Sequence, residues 1–328
     1  MSGNHNQSLE RALKIVEAAS KAGVHALKLQ TYRADTITLD IREGEFFIDD
    51  QDSIWSGKSL HELYKKAYTP WEWHKPIMER ATELGLICFS TPFDSTAVDF
   101  LEDLNVPLYK IASFENTHIP LIKKVARTGK PIIISTGMAN LAELDETVRT
   151  LRDFGCEQFV LLKCTSTYPA SVNDSNVLTI PHMRKLFNCE IGLSDHTLGI
   201  GAAIAAVAHG ASVIEKHLTL SRNEGGVDSE FSVEPDEMNQ LVKETKHAWK
   251  ALGSVKYGFS GAEKKSLLYR QSLYIAADMK KGEILDANNL RIVRPGLGLP
   301  PKYYDTILGK RVKKNLKKGT PVKWNLVE

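Results

Sequence analysis

From residue 8 to about 252, amphipathic helical stretches alternate with short, apolar, β-branched runs bounded by Gly, Pro or Asn. That alternation restricts the fold more than any other feature, because it is the pattern of βα units on a parallel sheet. Strands are predicted at 25–32, 86–93, 108–113, 131–136, 159–165, 190–197 and 212–219, and helices at 9–22, 71–84, 95–104, 119–127, 141–154, 177–186, 200–209 and 235–252. The implied fold class is α/β, a (β/α)8 barrel. Seven strands fall one short of closing its hydrogen-bonded ring. Because the chain opens on the polar stretch Ser2-Gly3-Asn4-His5-Asn6 and then a helix, a first strand is expected to be lost or to lie just upstream.

Residues 33–68 fit neither period, and an irregular insertion of that length in a barrel is expected to roof the pocket. Past the last barrel helix the composition changes. Residues 269–328 hold 13 Lys/Arg against 5 Asp/Glu, whereas the whole chain is nearly balanced at 42 against 40. The expected organisation is therefore a barrel at 1–255, a linker at 256–268 and a small second domain at 269–328. Within that domain 279–284 echo 316–321, as two related turns would. Some 60 residues with few large apolar groups make a marginal core, so it is expected to lean on another surface, such as a partner subunit.

The near-neutral total leaves no global field for nucleic acid or an anionic membrane. No run approaches a membrane span and the N-terminus lacks a signal-peptide profile. The four cysteines, Cys88, Cys156, Cys164 and Cys189, are too widely spaced for a CxxC motif and are expected to be reduced, in keeping with a cytoplasmic protein. No P-loop occurs and no G-x-G-x-x-G follows a strand, so nucleotide phosphate chemistry has no support.

In a parallel barrel, chemistry gathers at the C-terminal ends of the strands. In strand order the polar residues there are Lys28 and Gln30; Thr91; Lys110 and Ser113, with Glu115 just beyond; Ser135 and Thr136; Lys163, Ser166 and Tyr168; Ser194, Asp195 and His196; and Glu215 and His217. Inward-pointing Lys28 and Lys110 are costly to desolvate without an anion, and the hydroxyls of Thr91, Ser113 and Ser135 donate hydrogen bonds without adding charge. This suits a phosphate or carboxylate cradle. Structural ion pairs of the lysines with Glu115 and Asp195 are the plainer alternative. His196 and His217 end adjacent strands, within reach of one divalent ion, with Asp195, Glu215 and Asp228 available to orient them. The strand-end lysines also permit Schiff-base chemistry with a carbonyl substrate.

Several motifs, taken together, resemble the sialic acid synthase family, enzymes that condense phosphoenolpyruvate (PEP) with an acylamino sugar. They are Ser2-Gly3-Asn4-His5-Asn6, Lys28-Leu29-Gln30, Ser90-Thr91-Pro92-Phe93, Tyr109-Lys110-Ile111-Ala112-Ser113, Ser135-Thr136-Gly137-Met138, Gly192-Leu193-Ser194-Asp195-His196-Thr197 and Glu215-Lys216-His217. The tail is similar to that family's antifreeze-like (SAF) domain, with Arg294-Pro295-Gly296 matching an arginine that reaches into the partner's active site in a domain-swapped homodimer. Within the family, residues 226–232 and 295–299 look more like the pseudaminic acid branch than the N-acetylneuraminate branch. Two departures stand out. Ser166-Thr167-Tyr168 replaces an Asn-Ile-Tyr, and the family's active-site glutamate belongs to the strand before Ser2.

The resemblance implies a metal-dependent synthase. Lys28, Thr91, Lys110, Ser113, Ser135, Ser166 and Ser194 would hold PEP; Gln30, Tyr168, Asp228 and Arg294 would face the sugar; His196 and His217 would bind Mn2+, Mg2+ or Co2+. The catalytic set would be His196, His217, Lys110, Glu115 and Asp228. N-acetylneuraminate or legionaminate synthesis on the same scaffold, a Schiff-base aldolase and a non-catalytic sugar-binding relic are the competing readings.

Overall fold

The computed structural model describes residues 1–51 and 53–328. The β-branched runs form β1 (Ala26–Thr31), β2 (Ile87–Pro92), β3 (Tyr109–Ile111), β4 (Ile132–Ser135), β5 (Phe159–Cys164), β6 (Glu190–Asp195) and β7 (Ile214–Lys216). They pair in chain order, all parallel, in one curled seven-stranded sheet, and among the described residues β7 and β1 do not pair with each other. This is the expected α/β barrel architecture with one position of the ring open.

Helices Leu9–Ala22, Trp71–Glu83, Ser95–Asp103, Ile119–Ala126, Leu141–Asp153, Thr179–Phe187, Gly201–Ala208 and Pro235–Leu252 fill the predicted slots. Their starts follow from side-chain caps: Ser8, Asp94 and Asn140 each accept from backbone N–H groups of the first turn, donors that the helix itself leaves unpaired. Their apolar stripes pack on the sheet to bury Ile15, Ile77, Leu101, Ile122 and Leu151 against strand residues such as Leu29, Ile111, Ile134 and Leu161. Truncating any one of these to Ala costs about 2–5 kcal/mol, because transfer and cavity costs add.

Residues 33–68 are more ordered than the sequence suggested. They hold a short helix at Ala34–Ile37 and another at Leu60–Ala67, the second opened by a reciprocal cap in which Ser59 accepts from Glu62 N–H while Glu62 accepts from Ser59 N–H. The Ser59-x-x-Glu62 signal was present in the sequence. A helix of eight residues is simply too short to show its period.

By internal contacts the chain divides into Met1–Gly253 and Ser254–Glu328. In the second unit a turn-rich 3₁₀ stretch, Ala262–Tyr269, runs through much of the segment read as linker. Beyond it, β8 (Ser272–Ile275) and β9 (Leu290–Val293) pair antiparallel. This unit owns a core that the composition undersold, with Leu273, Ile275, Met279, Leu285, Leu290, Ile307, Val312, Leu316 and Val322 buried together. The internal echo is structural. Met279 and Leu316 exchange backbone hydrogen bonds at 2.8 and 2.9 Å. The pairing of Ile275 with Gly319 and Thr320 repeats as that of Val312 with Gly282 and Glu283. Gly282 and Gly319 both sit at φ +87°, a left-handed turn that favours glycine.

Candidate active site

Strand alternation decides which polar residues meet. Lys28 and Gln30 on β1, Thr91 on β2, Lys110 on β3, Ser135 on β4, Cys164 on β5, Ser194 on β6 and Glu215 on β7 share the inner face; His196 and His217 continue it just beyond their strands. The organising group is Glu215. Lys28 Nζ donates to its Oε1 at 2.8 Å, Lys110 Nζ lies 3.6 Å from the same oxygen, and Ser194 Oγ donates to it at 3.4 Å. Lys110 Nζ also donates to Ser135 Oγ at 2.7 Å.

Burial alone would raise the Glu215 carboxyl, but the Lys110 and Lys28 ammonium groups outweigh it and hold it well below the usual carboxylate range. Burial draws Lys110 down to about 8, with Glu215 opposing. Two ammonium groups thus share one carboxylate, which leaves a net positive charge at the mouth. Thr91 Oγ1 is buried without a hydrogen-bond partner among the described residues, a donor free for a ligand. Beside it in the ring, Ser113 Oγ accepts from Gly137 N–H at 3.2 Å. A Cβ on Gly137 would stand 2.0 Å from Ser166 Oγ and 2.7 Å from Ser113 Oγ, so only glycine lets the two hydroxyls crowd this loop. Glu115 lies just outside with a buried, unpartnered Oε2, and burial raises its carboxyl to about 7.

The imidazoles of His196 and His217 meet edge to face, ring centroids 5.4 Å apart. Both are held through Nδ1: His196 donates to Thr165 O at 3.0 Å, and His217 lies 3.1 Å from Ser2 Oγ and 3.8 Å from Asp228 Oδ2. Neither Nε2 has a hydrogen-bond partner among the described residues. Among the described residues no group of three or more His, Cys, Asp or Glu side chains is placed to hold a metal. Two imidazoles alone supply fewer donors than a closed structural metal site uses, so any cation here would need water or substrate oxygens to complete its shell. Tyr168 packs at a tilt on His196 at 4.6 Å and Phe231 packs edge-on against His217 at 4.9 Å, walling this side with rings.

Three expectations are corrected. The lysines pair with Glu215, not with Glu115 or Asp195. Asp195 is not a partner of the histidines, because one step along β6 turns it to the opposite face, where it forms a buried pair with Lys216 at 2.6 Å. Lys163 lies on that outer parity of β5 and donates to Cys164 O, away from Lys28 and Lys110. Arg294 is exposed at the end of β9 in the second unit.

Sequence reasoning gave no role to Ser2, Cys164, Trp55 or Phe231. The polar opening stretch explains itself: Ser2 supports His217, Asn4 donates to Leu218 O at 3.0 Å and Ser232 Oγ at 2.8 Å, and Asn6 donates to Gly225 O. It braces β7 and the loop that carries Asp228. Cys164 Sγ lies 3.8 Å from His196 Nδ1. A polar run with no helical or strand period was the available signal for the first of these; the others have none.

Fold and mouth define an enzyme of the parallel α/β-barrel class that handles an anionic substrate. Residues 15–257 match the NeuB family and residues 270–328 the SAF domain. The chain belongs to the NeuB family. It is 42% identical to a pseudaminic acid synthase of Campylobacter jejuni, over 98% of this chain and 94% of the relative. To a pseudaminic acid synthase of Helicobacter pylori it is 41% identical, over 100% and 96%. Among solved structures, the N-acetylneuraminic acid (sialic acid) synthetase of Leptospira borgpetersenii, in complex with citrate, superposes with a TM-score of 0.70 at 32% identity, covering 81% of this chain and 88% of that one.

Proposed function

We propose that this enzyme is a pseudaminic acid synthase. It joins PEP to 2,4-diacetamido-2,4,6-trideoxy-L-altrose, with water, and releases pseudaminic acid and phosphate. The observation that carries this reading is the convergence of Lys28, Lys110 and the unpartnered Thr91 hydroxyl beside two histidines with free Nε2 atoms.

Lys28, Lys110 and the hydroxyls of Thr91, Ser113, Ser135, Ser166 and Ser194 grip the phosphate and carboxylate of PEP. His196 and His217 would hold a divalent cation, whose contribution when bound is Lewis-acid polarisation at the sugar carbonyl. The enol C3 attacks that carbonyl carbon; water then adds at C2, and phosphate leaves with cleavage of the C–O bond. Glu115, with its carboxyl near 7, can hold or return a proton at neutral pH. Gln30, Tyr168 and Asp228 face the sugar. Holding both reactants in register contributes about 7–11 kcal/mol.

The second unit acts from a second copy of the chain, in a domain-swapped homodimer whose Arg294 closes the sugar side. Mixing Arg294→Ala chains with Lys110→Met chains then restores turnover that neither shows alone; no recovery refutes the swap. Free thiols and a PEP substrate suit the cytoplasm, and among the described residues no helix is long and apolar enough to cross a membrane.

Phosphate release with a panel of acylamino sugars, with and without chelator, tests the assignment. Turnover with the altrose sugar and its loss in EDTA are expected. Turnover with N-acetylmannosamine alone shifts the product to N-acetylneuraminate, and a legionaminate precursor alone shifts it to legionaminate. The lowered Lys110 favours one competitor, a Schiff base. That reading requires borohydride trapping with a carbonyl substrate and indifference to EDTA.

A further inference from the structure

Residues 33–68 meet the mouth through an indole. Trp55 Nε1–H donates to Val227 O at 2.9 Å. Its ring stands 5.7 Å from that of Tyr168, tilted by 48°. Tyr168 in turn packs on His196 and on Phe231, at 4.6 and 5.0 Å. Val227 directly precedes Asp228, and a Cβ built on Gly3 would lie 3.3 Å from Val227 Cβ, so the N-terminal turn backs the loop that the indole ties down. Trp55 itself is partly exposed, an aromatic body at the rim with its polar edge anchored. None of its described hydrogen bonds or ring contacts reaches Lys28, Lys110 or Thr91.

We propose that Trp55 is a positioning residue for the sugar half of the mouth: its ring sets the plane of Tyr168, and its N–H fixes the Val227 carbonyl and thereby the direction of Asp228. The ligand class is an acylamino sugar whose methyl groups lie against these rings. The inference rests on the functional reading above, in which Tyr168 and Asp228 face the sugar. It adds that the segment over the mouth selects among acylamino sugars and leaves PEP to the lysines.

Trp55→Ala and Trp55→Phe in the full-length protein separate the two contacts, since phenylalanine keeps a ring and loses the N–H. Losing one neutral hydrogen bond and one aromatic pair raises the sugar KM about tenfold in Trp55→Ala. Trp55→Phe shows a smaller rise, while the PEP KM stays within about twofold and Tm is little changed, as for a partly exposed side chain. Hydrogen exchange of the peptide covering residues 224–232 gives a readout independent of turnover, and it should quicken in both variants. Unchanged sugar KM together with unchanged exchange overturns the proposal. So does an equal rise in both KM values with a falling Tm, which would mean a merely structural tryptophan. A wild-type enzyme that turns over none of the sugars sinks the synthase reading instead, and the exchange comparison still decides whether Trp55 holds the loop.

Discussion

The lysine side and the histidine side of one mouth are built by opposite means. Lys28, Lys110 and Glu215 hold one another by charge, with Lys110 fully buried and the other two half-buried beside it. His196 and His217 are held by neutral hydrogen bonds to Thr165 O and Ser2 and by the rings of Tyr168 and Phe231. A charged cradle is rigid because breaking it strands an ion in the interior; a wall of rings can be re-tuned, since each contact is worth only about 1 kcal/mol. On the proposed reading, binding of the common reactant and choice of the variable one fall to different physics.

The largest effect that would break this comparison is Lys110→Met. Loss of one charged donor to the phosphate should cost about 10²–10³ in turnover. The Lys28–Glu215 pair stays matched while Ser135 Oγ and Glu215 lose a charged donor, so the stability cost should be about 1–3 kcal/mol. Replacing Glu215 by Leu in the same chain leaves Lys28 without its carboxylate, so stability should fall further and no activity should return. Full PEP affinity in Lys110→Met would show the cluster to be structural only.

A smaller effect is expected on the other side from Ser2→Ala, which removes the hydroxyl beside His217 and Asp228. Stability should fall by about 1–2 kcal/mol and kcat by about tenfold, with PEP binding by calorimetry unchanged. A weakened PEP affinity of the same size would erase the division between the two sides.

These expectations rest on positions that differ in how readable they were. Every strand of the sheet was legible in place and order, because β-branched runs bounded by turn formers mark strands, although 108–113 and 212–219 shortened to Tyr109–Ile111 and Ile214–Lys216. The inner-face residues were legible by parity once the strands were placed, and parity also shows why Asp195 belongs elsewhere, one residue being enough to reverse a side chain. Pairing was not legible. That Lys28 meets Glu215 depends on how β1 and β7 are brought together in space, and the Trp55 contact to Val227 joins a loop to a loop with no period in either. The core of the second unit was missed because its apolar residues are spread singly among turns.

The smallest test concerns Glu115, at the edge between the two sides. Its folded-state carboxyl, raised by burial to about 7, prefers to be protonated, so its share of stability is complete below the ordinary value of 4.5 and is lost as pH climbs through 7. The Tm of the wild type should therefore drop relative to Glu115→Gln between pH 5 and about 8. A gap that stays constant over that range would mean that the carboxylate finds a cationic partner.

Lys28 and Glu215 stand on the two strands that flank the open position of the sheet, so their ion pair bridges a place the backbone does not stitch. The same bond thus works as a fastener for the ring and as half of the cradle. On the proposed reading, a phosphate arriving between the lysines would compete with Glu215 for their N–H donors and would slacken the fastener. Occupancy and ring breathing should then be coupled in sign: the loaded enzyme firmer around its anion, yet looser along the gap between its first and last strands.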